Sequence, residues 1–194
     1  MDVVTLLEPK IDLHRLAEVL DGLGHEGRVH TVGTWTKKQM RAIYDAAKGF
    51  RPIDIDFLVP ASGVLEPVSH DGKNSLPLFS TFQKHFMKVE GADYPAAGRN
   101  SGQYEWVVGD GYFIVTKGEG DHEGELGIDY TKVPKDKPAD WPDVRENTGL
   151  GPGLTYGGMV DWLRGISTHV SIGAAFKGGK GRDQFFALVR RDPG

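Results

Sequence analysis

Apolar residues in this chain recur first at helical and then at strand spacing. In IDLHRLAEVLDGLG, Leu13, Leu16, Leu20 and Leu23 return every three or four positions, with Arg15, Glu18 and Asp21 between them; this spacing predicts an amphipathic helix. Asp12 stands where an N-cap is needed, and Gly22 or Gly24 supplies the stop. TWTKKQMRAIYDAAKG predicts a second helix. Thr36 and Gln39 have capping-box spacing, and Trp35 and Met40 have that of a hydrophobic staple. Met40, Ile43, Tyr44 and Ala47 then share a face ahead of Gly49. GRVHTVGTW alternates loosely and reads as a short strand. FRPIDIDFLVP, with Ile53, Ile55 and Phe57 between Asp54 and Asp56, reads as a half-buried one.

VLEPVSH is a further strand, turned by Asp71-Gly72. SLPLFSTFQKHFMK places Leu78, Phe82 and Phe86 on one face of a helix beginning near Ser75 and Pro77. Residues 88–103, rich in small and polar residues, read as a loop. YEWVV, YFIVTKGE and LGIDYTKVP form a three-stranded antiparallel meander with a Gly109-Asp110-Gly111 turn. In GGMVDWLRGIS, Met159, Trp162, Leu163 and Ile166 make a helical stripe; HVSIGAAF and QFFALVRR then pair as a hairpin, the alternative being a helix that continues to Phe176. Pro134, Pro138, Pro142 and Pro152 keep residues 132–153 out of regular structure. That segment is a lid, an arm clasping a neighbouring subunit, or a plain surface loop, and Trp141 within it has to be buried somewhere. The expected fold is α+β, one domain over residues 1–194: an antiparallel sheet of about 5–7 strands with 3–4 helices, a helix-rich N-terminal third and a β-meander in the middle.

Composition narrows the function classes more than it identifies one. Hydrophobic residues make up 39 % of the 194 positions and charged residues 26 %, enough for a proper core. A net charge of −4 gives no reason to expect nucleic acid or an anionic membrane as partner. Cysteine is absent, which excludes disulfides, thiolate metal sites and cysteine nucleophiles. The first residues lack the basic and apolar regions of a secretory signal, and no apolar run approaches the roughly 20 residues that span a bilayer. The expected setting is the cytoplasm.

Candidate chemistry is sparse. Asp121, His122 and Glu123 put a histidine between two acids, but counting twelve from Asp121 gives Leu126 at the sixth position and Lys132 at the twelfth. A calcium loop needs glycine and glutamate there. With no HxH or HExxH spacing in the chain, the cluster reads as a polar turn, and no metal or other cofactor is expected. Lys177, Lys180 and Arg182, around glycines, form a candidate anion site that lacks the phosphate-loop pattern. Gly149, Gly151 and Gly153 lack the context of a dinucleotide loop, and no GxSxG nucleophile motif is present.

The leading functional expectation is a pocket between sheet and helices that binds a small apolar or aromatic molecule, lined by Trp106, Tyr112, Tyr130, Trp141 and Trp162. Assembly into a homo-oligomer through the 132–153 arm is the second reading. A hydrolase or isomerase using histidine and carboxylate, with or without metal, is the third.

Overall fold

A computed structural model of the chain describes residues 11–60, 63–76, 80–102, 111–147 and 156–191. Over these residues the protein is a closed antiparallel barrel of eight strands, not the open five-to-seven-stranded α+β sheet expected above. The strands are β1 (Val68–Asn74), β2 (Thr81–Lys88), β3 (Ala96–Ser101), β4 (Phe113–Lys117), β5 (Leu126–Asp129), β6 (Met159–Gly165), β7 (Val170–Lys177) and β8 (Lys180–Arg190). Each pairs with the next in sequence, and β8 closes on β1, with His70 opposite Arg190. Closure leaves no edge strand among the described residues.

Among the described residues four α-helices accompany the barrel: α1 (Leu13–Asp21), α2 (His25–Gly33), α3 (Lys37–Ala46) and α4 (Ile55–Leu58). The two helices predicted in the first fifty residues are present. Asp12 accepts from the Arg15 amide at the start of α1, and Thr36 and Gln39 form the capping box of α3. Leu16, Leu20, Met40, Ile43 and Trp35 are buried against the outer face of β7 and β8, on Val170, Ile172, Ala187 and Val189. The strand expected at GRVHTVGTW is instead α2, whose buried Arg28 donates from Nε to the Leu20 carbonyl. The strand expected at FRPIDIDFLVP is an extended entry to α4. Asp54 caps that turn by accepting from the Phe57 amide. Leu58 and Val59 are fully buried in the same cluster as the barrel interior and stop one end of it.

Alternation along the strands separates interior from exterior. On β8, Phe186 and Leu188 belong to the inner cluster, and Phe185, Ala187 and Val189 to the face under the helices. On β4, Phe113 and Val115 face inward and Ile114 outward, as does Tyr112 just before the strand. The outward face of β2 to β4 is covered by residues 131–147. These run back over the barrel with Trp141 only 7 % exposed, packed with Met87, Ala97, Ile114 and Tyr112. The Tyr112 hydroxyl donates to the Pro142 carbonyl (2.6 Å), and Asn147 Nδ2 donates to the carbonyls of Tyr112 and Tyr130. The described part of the proline-rich segment is thus a strap on its own barrel.

Four further expectations are overturned, each by a strand of the closed barrel. The helix predicted over SLPLFSTFQKHFMK is β2, and the one over GGMVDWLRGIS is β6; the hairpin that follows, β7 with β8, is as predicted. The loop predicted at residues 88–103 contains β3, and the Asp71-Gly72 turn lies inside β1. The strand expected at YEWVV lies outside the described residues. Among the described residues, no helix is long and apolar enough to cross a membrane.

Candidate functional site

Inside the barrel, three glycines each face a phenylalanine on the neighbouring strand: Gly72 opposite Phe82, Gly98 opposite Phe113, and Gly173 opposite Phe186. A Cβ on any of these glycines would stand 2.3–2.7 Å from the facing ring. The missing side chains are what let the rings lie down over the backbone, and together the rings form most of an aromatic wall.

Lys84 points into that wall. It lies on β2 between Phe82 and Phe86, and only 2 % of it is exposed. Its Nζ is 5.1–5.4 Å from the ring centroids of Phe82, Phe113, Tyr130 and Phe186. Nζ donates to Asn100 Oδ1 at 2.7 Å and to the Tyr130 hydroxyl. Asn100 Nδ2 in turn donates to the Tyr130 oxygen at 3.2 Å, and Tyr130 stacks on Tyr156 with centroids 4.9 Å apart.

Asp161, from β6, is the buried charge facing this group. Its neighbours across the ladder are Ile128 and Ala175, both buried, so its carboxylate is directed inward. It is 6 % exposed, and its Oδ1 has no hydrogen-bond partner. Burial pushes the Asp161 carboxyl up from the ordinary carboxylate range, against the pull of Lys84. Burial pushes the Lys84 ammonium down, against the pull of Asp161. The Tyr130 hydroxyl is raised well above its usual value by burial and stays protonated.

Such a pair is expensive. Desolvating two charges costs several kcal/mol, which a long-range attraction with no direct hydrogen bond does not return. We therefore expect a Lys84→Met, Asp161→Leu double variant to be more stable than the parent by ~1–4 kcal/mol in urea unfolding. A double variant that loses stability would show the pair to be a structural asset.

Strands β1, β3 and β5 end, and β2, β4 and β6 begin, at the end of the barrel opposite α4. There Phe82, Tyr156 and Met159 are half-buried. Tyr130 also lines a cleft of about 500 Å³ with Tyr94, Val133, Glu146, Asn147 and Gly158, between the strap and the turn that leads into β6.

The predicted aromatic lining is dispersed. Tyr130 alone reaches the interior; Tyr112 and Trp141 pack together under the strap. Trp162 lies half-buried on the outer wall, stacked on His122 at 3.9 Å, and Trp106 is outside the described residues. Asp121, His122 and Glu123 lie in the β4–β5 connection. His122 Nδ1 is bonded to Glu125 Oε2 (2.8 Å), and the other oxygen of Glu125 accepts from Arg164. No group of three metal-ligating side chains gathers among the described residues. Lys177, Lys180 and Arg182 are exposed around the β7–β8 turn, where Gly178 and Gly179 have positive φ. Nor do the histidines converge: His25 bonds Asp71 and His85 lies between Ser69 and Ser101, both on the outer wall, and His70 is buried near the α4 end.

Lys84, Asn100 and Asp161 have no counterpart in the sequence reading. The available signal was period two: Phe82-x-Lys84-x-Phe86 and Met159-x-Asp161-x-Leu163 each put one charge in the middle of an apolar row. No protein-family model, curated protein or solved structure matches this chain.

Proposed function

We propose that the barrel binds a small molecule with an apolar or aromatic body at its long-loop end. The body rests against Phe82, Tyr156 and Met159, and a polar group reaches Lys84 and Asp161. An eight-stranded barrel is wide enough to hold one small ligand or to be filled by its own side chains. The observation that carries the reading is a buried lysine in an aromatic cage facing a buried carboxylate with an unpartnered oxygen. A layer serving only as core is more stable without either charge, and buried titratable groups with perturbed pKa values mark candidate functional sites.

The test is native mass spectrometry and thermal shift against aromatic and aliphatic carboxylates, alcohols and carbonyl compounds. A binder is expected, and its thermal shift disappears in Lys84→Met and in Asp161→Asn while Lys177→Ala, on the exposed hairpin, retains it. A panel without a binder, or a binder indifferent to both interior variants, overturns the proposal.

A further inference from the structure

We infer that Lys84 is a covalent capture site for aldehydes, forming an imine with the carbonyl carbon of a ligand held in the barrel. The inference rests on the binding function proposed above and specifies the reactive group of the ligand.

The hydrogen-bond inventory around Nζ carries it. A neutral amine has two N–H donors and one lone pair; an ammonium has three donors. Lys84 Nζ has two acceptors, Asn100 Oδ1 and the Tyr130 hydroxyl, and both are neutral. An amine in this position satisfies both and keeps its lone pair free for attack. An ammonium would leave a third N–H to the surrounding rings. Desolvation favours the amine as well, the usual means of turning lysine into a nucleophile.

Asp161 supplies what the reaction then needs. The lone pair of Nζ adds to the carbonyl carbon, and a proton passes from nitrogen to oxygen to give a carbinolamine. Asp161, in its acid form, protonates the hydroxyl, which departs as water as the C=N bond forms. The product is an iminium beside the Asp161 carboxylate. Lysine and aldehyde give imine and one water, with no oxidant or reductant. The unpartnered Oδ1 acquires a cation to face, and the rings of Phe82, Phe113 and Phe186 flank the new cation.

The experiment treats the intact protein with benzaldehyde or octanal in the presence of sodium cyanoborohydride, which reduces an imine to a stable secondary amine. Peptide mapping by mass spectrometry locates the adduct, and benzyl alcohol and octanol are run in parallel for reversible binding without reductant. Lys84, despite its burial, is expected to be modified at least about tenfold faster than exposed Lys48, Lys117 or Lys177. The adduct is expected to vanish in Lys84→Arg and to form more slowly in Asp161→Asn. Adducts confined to surface lysines while the alcohols bind would overturn the imine and leave the binding function standing. Failure of both arms would remove both. The selectivity is read on the unmodified sequence, so it does not depend on a variant folding.

Discussion

Replacing Gly98 by alanine is expected to cost more than ~4 kcal/mol and to leave little folded barrel at ambient temperature. A Cβ at this position would lie 2.1 Å from the His85 carbonyl oxygen, on the adjacent strand, and 2.7 Å from the Phe113 ring. The ring could turn aside; the carbonyl belongs to the ladder in which His85 pairs with Arg99. The β2–β3 seam would have to part, and with it the frame that holds Lys84 and Asn100 in contact. Gly178→Ala is the control. Gly178 has φ +58 but nothing within 4 Å of an added Cβ, so only the backbone conformation is penalised, by roughly 1 kcal/mol. Urea unfolding of the two variants decides the matter, and equal stabilities would show the barrel wall to be far more compliant than its geometry indicates.

Acidification should act through His70. This side chain is fully buried against Phe86, and its Nε2 is bonded to the Leu58 carbonyl at 2.9 Å. Burial lowers its pKa to about 3 from an ordinary value of 6.5, the hydrogen bond to Leu58 opposing and the Arg190 charge assisting. A depressed base folds as the neutral form, so its contribution is complete above pH 6.5 and is lost as pH falls toward 3. The full loss is ~3–5 kcal/mol, released where α4 stops the barrel. Asp161 works in the opposite sense: its raised pKa gives stability that is present in acid and lost as pH rises. The two partly cancel between them. At Asp71, burial alone would raise the pKa, but hydrogen bonds from Arg191, Gln83 and His25 hold it at about 2, so its contribution is lost below pH 4. His70→Gln, which retains a donor for Leu58, is expected to flatten the stability profile between pH 6.5 and 4, and Asp161→Asn to steepen it. Parallel profiles for all three proteins in urea titrations would refute the assignment.

The helices α1 and α3 were legible because every local rule agreed, from Asp12 and Thr36 at the caps to the apolar stripes that reach β7 and β8. The barrel was not, for reasons written in particular residues. On β6, Leu163 fills the interior while Trp162 is covered outside by His122, so both faces carry apolar side chains and the alternation disappears. On β2, Phe82 and Phe86 are separated by four, which fits one turn of helix as well as two pleats of strand. In Ala96–Ser101 the small residues look like loop composition, and among them Gly98 is what leaves room for the Phe113 ring of β4. The buried Lys84–Asp161 layer was hidden in the same way. Lys84 and Asp161 look like surface charges until ring closure turns their side of the strand inward, and closure depends on a pairing between the first and last strands that no local pattern announces.

That seam has a kinetic consequence. Residues that are 120 positions apart in the sequence, such as His70 and Arg190, must meet before the cylinder is sealed. Long-range pairing of this kind pays its loop-closure entropy early and slows folding. The helices and the β7–β8 hairpin use mostly local contacts and can assemble sooner. The enclosed surroundings of Lys84 therefore exist only once that seam is made, and a polypeptide still lacking its eighth strand is an open ribbon, not a cylinder.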